Sequence, residues 1–315
     1  MDNLNETWER EAEKLANATE SIQTPLEPLS NSDAPTLGKA QRFLEDARPL
    51  MADIGWKTIP LDQLPSRGMF YPEGTQIAIR AASVGEIRHW STIDENDLLA
   101  MDDMINYVIE KCIQIKIPGI VTNWKDIKEI DRLYLIFAIR EYTFKEGENN
   151  IYVNTEDGDK IKVTKDMIAY FEIDEKLHRF YNAERKCFSF ELKTGEKFDL
   201  YMPSIGVTSF IKAYIKSRQQ QGFNVDTSFI KFASFLFPEY RSMTQAIYEK
   251  AVQNSSTWSL PQLSLMTNVV DMLAAGVNPK VTYTTPGGAE MTAPLNFQGG
   301  LKSLFIISDI FDQLV

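Results

Sequence analysis

The segment over residues 64–74 constrains the fold of this chain more than any other. Its eleven residues include two prolines, which fix φ, and two glycines, which allow positive φ, so the backbone must turn sharply at defined points. The neighbouring rings of Phe70 and Tyr71 predict that the turn is anchored against an apolar surface. Residues 75–80 then alternate between polar and apolar, which predicts a strand directly after the turn.

Helical periodicity follows this strand. Ser83 and Glu86 stand three residues apart, the spacing of a capping box that begins a helix. Apolar residues then recur at alternating spacings of three and four, which predicts a helix closed by Pro118 and Gly119. These apolar residues are Leu98, Met101, Ile105, Val108, Cys112 and Ile115.

A second helix is predicted over residues 124–144. Its apolar face contains Ile127, Ile130, Tyr134 and Phe137. The two apolar stripes predict an antiparallel helical hairpin inside one domain core, and an intermolecular coiled coil is the alternative.

The period changes to two over residues 147–201. Residues 151–153 and 161–163 flank an Asp-Gly pair, and residues 187–192 and 197–201 flank a Thr-Gly pair. Alternating runs around such pairs are typical of β-hairpins. The sequence therefore predicts a small antiparallel sheet inserted between helical parts.

Residues 206–315 return to helical periodicity. The predicted helices cover residues 207–221, 226–236, 238–254, 260–275 and 301–314, with a hairpin over 280–295 around Pro286, Gly287 and Gly288. The predicted class is α+β and mainly helical, with a short N-terminal strand–turn unit, the inserted hairpin sheet and a C-terminal helical part. The predicted regions are 1–55, 56–145, 146–205 and 206–315.

Residues 1–55 differ in character from the rest. A helix is predicted over residues 7–22, but its stripe of Trp8, Leu15 and Ile22 is too thin to fold alone. A Pro- and Ser-rich linker and a second short helix follow. We expect either an arm that becomes ordered on a partner, with Trp8, Leu15 and Ile22 as its contacts, or an ordinary frayed terminus.

Composition narrows the classes of partner. The net charge is −11 and the sequence pI about 4.9, which disfavours nucleic acid and anionic membranes as partners. The first residues lack the pattern of a signal peptide, and no apolar run has the length of a membrane span. Cys112 and Cys187 are expected to be buried free thiols, with a disulfide as the alternative.

No motif for chemistry stands out. Neither histidine, His89 nor His178, has a motif partner, and no Cys or His pair has the spacing of a zinc site. The sequence therefore predicts no catalytic residue, no cofactor and no metal.

The turn, the strand and the helices after it resemble the baseplate hub and tail-assembly proteins of T-even-type contractile-tailed bacteriophages. The resemblance is specific over about 59–144 and fainter over 258–305. Many members of that family carry a Cys-Pro-x-Cys-Gly element before a Pro-Leu-x-Phe run. Here the run is present at residues 294–297, but the preceding stretch has no thiols, so no metal is assigned.

The resemblance implies a structural or assembly component of a contractile phage tail, at or near the baseplate hub, that acts without enzymatic activity. Its partners would be other tail or baseplate proteins, in a symmetric homo- or hetero-oligomer. It would be located in the host cytoplasm during assembly, and in the virion baseplate if it is retained. Two alternatives stay open: an assembly chaperone absent from the mature virion, and an enzyme whose site is not visible in sequence.

In this interpretation three residues of the turn contact a partner. Arg67 would offer a forked donor, and Phe70 and Tyr71 would be aromatic anchors. The alternative is that Arg67 is solvated and both rings fill the protein's own core.

Overall fold

The computed structural model describes residues 55–144, 151–154, 160–163, 167–169, 173–193, 195–225, 229–275, 280–285, 288–295, 297 and 300–305. The predicted arm, including Trp8, Leu15 and Ile22, lies outside these residues. So do the tip of the first predicted hairpin and most of the predicted helix over 301–314.

The predicted strand after the turn is the centre of a three-stranded antiparallel sheet. Strand β1 (Trp56–Ile59) pairs with β2 (Gln76–Arg80), and β2 also pairs with β3 (Ile113–Lys116). Ile77 lies opposite Ile59 on one side and Ile115 on the other. In β2, Ile77, Ala78 and Ile79 are all buried, so both faces of the sheet are covered at this strand, because successive side chains point to opposite faces.

Three helices complete this part of the chain: α1 (Val84–Trp90), α2 (Leu98–Cys112) and α3 (Glu129–Thr143). The capping box at the start of α1 is confirmed, since the Ser83 hydroxyl accepts from the Glu86 N–H and the Glu86 carboxylate accepts from the Ser83 N–H. A short 3-10 turn, Trp124–Asp126, precedes α3.

The predicted continuation of α2 to Pro118 is wrong. The helix ends at Cys112, and Ile113, Ile115 and Ile117 alternate as the buried positions of an extended segment. The spacing of three between Cys112 and Ile115 fits a helix, but the hydrogen bonds of the strand ladder with β2 decide the outcome.

The contact between α2 and α3 also differs from the predicted antiparallel hairpin. Arg132, near the start of α3, donates to Asp102 at 2.6 Å in the first half of α2 and to Asn106 at 2.7 Å near its middle. An antiparallel hairpin would place the start of one helix beside the end of the other. Strand β3 lies between the helices in sequence and makes this arrangement possible.

Both hairpins predicted between residues 147 and 201 are confirmed, but they belong to separate sheets. The first is formed by β4 (Ile151–Asn154) and β5 (Lys160–Val163). After β6 (Ile168–Ala169) and the short helix α4 (Glu175–His178), a second sheet joins three strands. They are β7 (Tyr181–Asn182), β8 (Cys187–Glu191) and β9 (Lys197–Tyr201).

The described residues of the C-terminal part form four helices and the predicted hairpin. The helices are α5 (Ile205–Gln220), α6 (Ile230–Ala233), α7 (Gln245–Ser255) and α8 (Leu260–Ala275). The hairpin consists of β10 (Lys280–Thr284) and β11 (Glu290–Pro294), and β10 also pairs with β6. At Leu301–Leu304 the structure has a 3-10 turn where a helix was expected to begin.

The α+β class is therefore confirmed, with four small antiparallel sheets among the described residues. Two apolar cores hold these elements together. The first core lies around the β1–β3 sheet, α2 and α3, and the second around β8, β9 and the helices α5 to α8. Tyr71 belongs to the first core and the adjacent Phe70 to the second, where its ring centroid lies 5.9 Å from those of Tyr181 and Phe188.

Candidate functional site

The turn over residues 64–74 is built from consecutive hydrogen-bonded bends. The N–H of Arg67 donates to the Leu64 carbonyl at 2.8 Å, and the N–H of Tyr71 donates to the Gly68 carbonyl at 3.1 Å. Arg67 and Gly68 both have positive φ, 49° and 74°. The chain thus reverses direction within three residues.

A buried carboxylate holds the turn in place. Asp131, in the first turn of α3, is fully buried and accepts three hydrogen bonds of 2.8 Å from the turn. The donors are the N–H and hydroxyl of Ser66 and the hydroxyl of Tyr71. Because a buried carboxylate needs donors on its oxygens, this contact fixes the turn against the start of α3.

The environment of Asp131 shifts its ionisation. Burial raises the pKa of Asp131 to about 6, although the hydrogen bonds from Ser66 and Tyr71 oppose that shift by favouring the charged form. The pKa of Tyr71 is raised well above its ordinary value, first by burial and then by the neighbouring Asp131 carboxylate. Tyr71 therefore acts as a hydroxyl donor to Asp131.

Lys128 continues this polar network on the other side of Tyr71. Its backbone N–H donates to the Tyr71 hydroxyl oxygen at 3.0 Å, and its Nζ donates to the Met202 carbonyl at 3.1 Å. Burial lowers the pKa of the Lys128 amine to about 8, although Asp126 and Asp131 act to raise it. The carboxylates of Asp126 and Asp131 therefore offset only part of the cost of burying the positive charge of the ammonium group.

The three predicted contact residues of the turn differ in their exposure to solvent. Arg67 is exposed, as a partner contact requires, whereas Phe70 and Tyr71 are each only 2% exposed. The expectation that the two rings anchor a partner is corrected, because they fill the two cores of this chain. The predicted contacts Trp8, Leu15 and Ile22 lie outside the described residues.

A cleft of about 300 Å³ opens beside the turn. Its walls come from residues 70–72 of the turn, the loop over 117–128, the 184–186 turn between β7 and β8, the segment 201–204 and residues 238–241. Elements that are distant in sequence therefore converge here, and Lys128 lies among the residues that line the cleft.

A bidentate ion pair joins two of these walls. Arg241 donates to both carboxylate oxygens of Asp126, at 2.5 and 2.6 Å, and also to the Val121 carbonyl at 2.8 Å. The Tyr240 hydroxyl donates to the Asn123 side chain at 3.1 Å. Asp126 is buried, and its ion pair stabilises the conformation of the loop over 117–128.

The same loop presents apolar side chains to solvent. Ile120 is 49% exposed and Val121 is 91% exposed, although the Val121 carbonyl is held by Arg241. An exposed apolar pair on a backbone fixed by Arg241 and the buried Asp126 differs from a scattered surface residue, because its position is determined before any partner arrives.

A wider groove of about 810 Å³ lies between α2 and α5. Tyr240 lines both the groove and the cleft. Its ring lies directly on Gly206 at the start of α5, where an added Cβ would come within 2.4 Å of the ring carbons. Glycine at this position is thus required for the close approach of Tyr240.

The residues considered for chemistry do not line the cleft. His89 packs against Tyr107 with ring centroids 4.3 Å apart, and His178 is exposed in α4. Both cysteines are buried free thiols, as expected. Among the residues that the structure describes, no group of three or more His, Cys, Asp or Glu side chains could hold a metal ion.

Sequence reasoning missed the residues that organise this site: Asp126, Lys128, Asp131 and Arg241. Asn123 and Asp126 have the spacing of a capping box, which the structure forms, so Asp126 carried a readable signal. Asp131 directly follows Ile130 of the predicted apolar stripe, and an acidic residue at the edge of such a stripe is a second signal that sequence alone offers. Nothing local marks Arg241 as the partner of Asp126.

Comparisons of the chain with protein-family models, with curated proteins and with solved structures gave no match. Within the described part of the chain, no helix combines the length and the apolar character needed to cross a bilayer.

Proposed function

We propose that this protein is a structural or assembly component of a contractile phage tail, at or near the baseplate hub, and that it acts through contacts with other tail proteins. The sequence resemblance over about 59–144 supports the family, and the site geometry supports the mode of action. The observation that carries the mode of action is the fixed, exposed apolar pair Ile120 and Val121.

This pair has the physical properties of a protein contact. Its backbone is held by Arg241 and Asp126, so little conformational entropy is lost when a partner covers the two side chains. Burying exposed apolar surface stabilises a complex by about 25 cal/mol per Å² of area removed from water. Arg67, exposed at the tip of the turn, adds a guanidinium for partner carboxylates or carbonyls.

The enzyme alternative would use the same cleft, since Lys128 has a lowered pKa and several ionisable groups lie near it. The two carboxylates near Lys128 are already engaged in holding the fold. Asp126 is bound by Arg241, and Asp131 accepts three hydrogen bonds from the turn. These contacts therefore favour the binding function.

The test is co-purification of the full chain with the tail and baseplate proteins encoded in the same genome. We expect the double variant Ile120→Ser/Val121→Ser to lose co-purification while its thermal unfolding is unchanged, because both side chains are exposed. The matched control is Val84→Ser, which changes a side chain that is 68% exposed on α1. Equal recovery of partners with the double variant and wild type would overturn the proposed contact.

Removing residues 1–40 tests the predicted arm in the same assay. We expect the remaining chain to unfold cooperatively and to recover less of the tail proteins. Mass spectrometry of purified particles then separates the two forms of the proposal: presence of the chain supports a structural role, and absence supports an assembly factor that leaves before maturation.

A further inference from the structure

We infer that the cleft beside the turn receives an acidic, partly apolar peptide segment of a partner protein, with a partner carboxylate placed against Lys128 and Lys186. This inference rests on the proposed function and names the chemistry of one of its contacts. The cleft volume of about 300 Å³ falls at the lower end of ligand-binding clefts, which span about 300–1,000 Å³.

The charges in the cleft are arranged by depth. Its acidic residues at the rim, Glu184 and Glu239, are exposed, so water and salt screen them strongly. Asp126, the buried acid, is neutralised by the bidentate contact with Arg241. Lys128 and Lys186 are less exposed than the rim, so their fields act with less screening.

Lys128 has capacity for an anionic ligand. Its ammonium has three N–H donors, and within the described residues the hydrogen bond to the Met202 carbonyl is the one that it makes. The lowered pKa of Lys128 shows that burial outweighs the compensation by Asp126 and Asp131. A carboxylate in the cleft would supply the missing compensation and form a charge-assisted hydrogen bond.

Lys186 is positioned by the local backbone. Its φ is 53°, in the left-handed region, at the end of the turn between β7 and β8. The Asn182 side chain holds this turn by accepting from the N–H groups of Glu184 and Arg185 at 3.1 and 3.0 Å. No ion pair of Lys186 is found among the described residues, so its charge is available at the cleft wall.

The apolar part of the segment would lie against Ile120 and Pro238. Both residues line the cleft, Ile120 is half exposed, and Val121 follows it at the surface. Apolar and cationic groups within one cleft fit a peptide in which an acidic residue stands next to an apolar one. Charge complementarity therefore selects this occupant over a basic segment.

The test selects peptides on the full-length chain from a displayed library of random 12-residue sequences. Selected peptides are then synthesised with a fluorescein label, and their dissociation constants are measured by fluorescence polarisation. We expect sequences with Asp or Glu beside an apolar residue. Lys128→Met and Lys186→Asn should each weaken binding about tenfold, because each removes a positive charge that faces the peptide carboxylate. Asparagine is chosen at position 186 because it tolerates the left-handed conformation.

The matched control is Lys197→Asn, which removes an exposed positive charge four residues before Tyr201 on β9 and should leave the affinity within twofold. Selection of basic peptides, selection of none, or equal affinity in all variants would overturn the inference. Competition by sodium acetate or inorganic phosphate at the peptide's own affinity would also overturn it, because that result indicates a site for free anions.

These outcomes are distinct from failure of the proposed function. Peptide binding that depends on Lys128 and Lys186 would stand even if the chain did not co-purify with tail proteins. Conversely, co-purification that depends on Ile120 and Val121 but is insensitive to Lys128→Met and Lys186→Asn would support the function and reject the cleft as its acidic-peptide site.

Discussion

The carboxylate of Asp131 accepts two hydrogen bonds from Ser66, one from its backbone N–H and one from its hydroxyl, both at 2.8 Å. The two residues are 65 positions apart in sequence. This contact attaches the proline- and glycine-rich turn to the start of α3, and both the cleft and the two cores depend on where the turn is held.

Replacing Asp131 with alanine should destabilise the protein by about 3 kcal/mol, because three buried donors lose their acceptor. The measurement is the free energy of unfolding in urea at pH 7. Asp103→Ala is the control, since Asp103 is an exposed acid on α2 and its loss should change stability by less than about 0.5 kcal/mol. Equal effects of the two variants would contradict the structural role of Asp131.

Asp131 should also give stability a specific pH dependence. Burial raises its pKa to about 6, so between about pH 4 and 6 the folded state holds a proton that the unfolded state has released. Stability from this group is therefore present at low pH and is lost as the pH rises through about 6, by about 3 kcal/mol. Lys128, which faces Asp131, stays protonated in this window because its pKa is about 8.

The variant Asp131→Asn isolates this effect because it removes the titration and keeps the shape of the side chain. We expect the unfolding free energy of wild type, relative to the variant, to fall between pH 4 and 6 and to stay constant from pH 7 to 7.5. Parallel curves for the two proteins across pH 4–7 would show that Asp131 is not buried as described.

Breaking the ion pair between Arg241 and Asp126 should loosen the loop over 117–128. Arg241→Met leaves the buried Asp126 carboxylate without its partner, and because Arg241 is partly exposed we expect a loss of about 2 kcal/mol. The double variant Asp126→Asn/Arg241→Met should lose less than the sum of the single variants. Arg88→Met, at an exposed arginine of α1, is the control. If the double variant lost as much stability as the two single variants together, the proposed coupling between Asp126 and Arg241 would be rejected.

Gly68 should tolerate alanine less well than Gly119. Both have positive φ, 74° and 80°, so alanine is strained at either position. At Gly68 a Cβ would also come within 2.9 Å of the Leu61 Cβ, whereas at Gly119 it meets no atom within 4 Å. We expect Gly119→Ala to cost about 1 kcal/mol in thermal unfolding and Gly68→Ala clearly more. The reverse order would contradict the packing of the turn.

The two thiols should be protected from reagents in the folded protein. Cys112 and Cys187 are both buried, and burial raises the pKa of Cys112 to about 12. Titration with Ellman's reagent should therefore detect almost no thiol at pH 8 in buffer and two per chain in 6 M guanidinium chloride. Rapid reaction of either thiol in buffer would place it at the surface.

Features set by neighbouring residues could be predicted from the sequence. The capping box at Ser83, the three hairpins and the extent of α8 follow from turn residues, caps and local periodicity, and the structure contains them. The assignment of strands to sheets is non-local, because β6 pairs with β10 more than one hundred residues later. Local patterns therefore did not reveal that the two hairpins expected in one sheet lie in separate sheets.

The candidate site was predictable only in part. The turn was recognisable from its prolines, glycines and rings, but the cleft depends on partners that a local pattern does not connect. Arg241 and Asp126 are 115 residues apart. The end of α2 was mispredicted because the isoleucines at 113, 115 and 117 satisfy a period of two, while Cys112 and Ile115 also satisfy a helical spacing.

Phe70 and Tyr71 insert their rings into two different cores although they are adjacent in the chain. The two cores cannot rotate relative to each other about this turn unless one ring leaves its packing. The backbone that carries one ring also carries the other, so the packing of the two cores is coupled at this point.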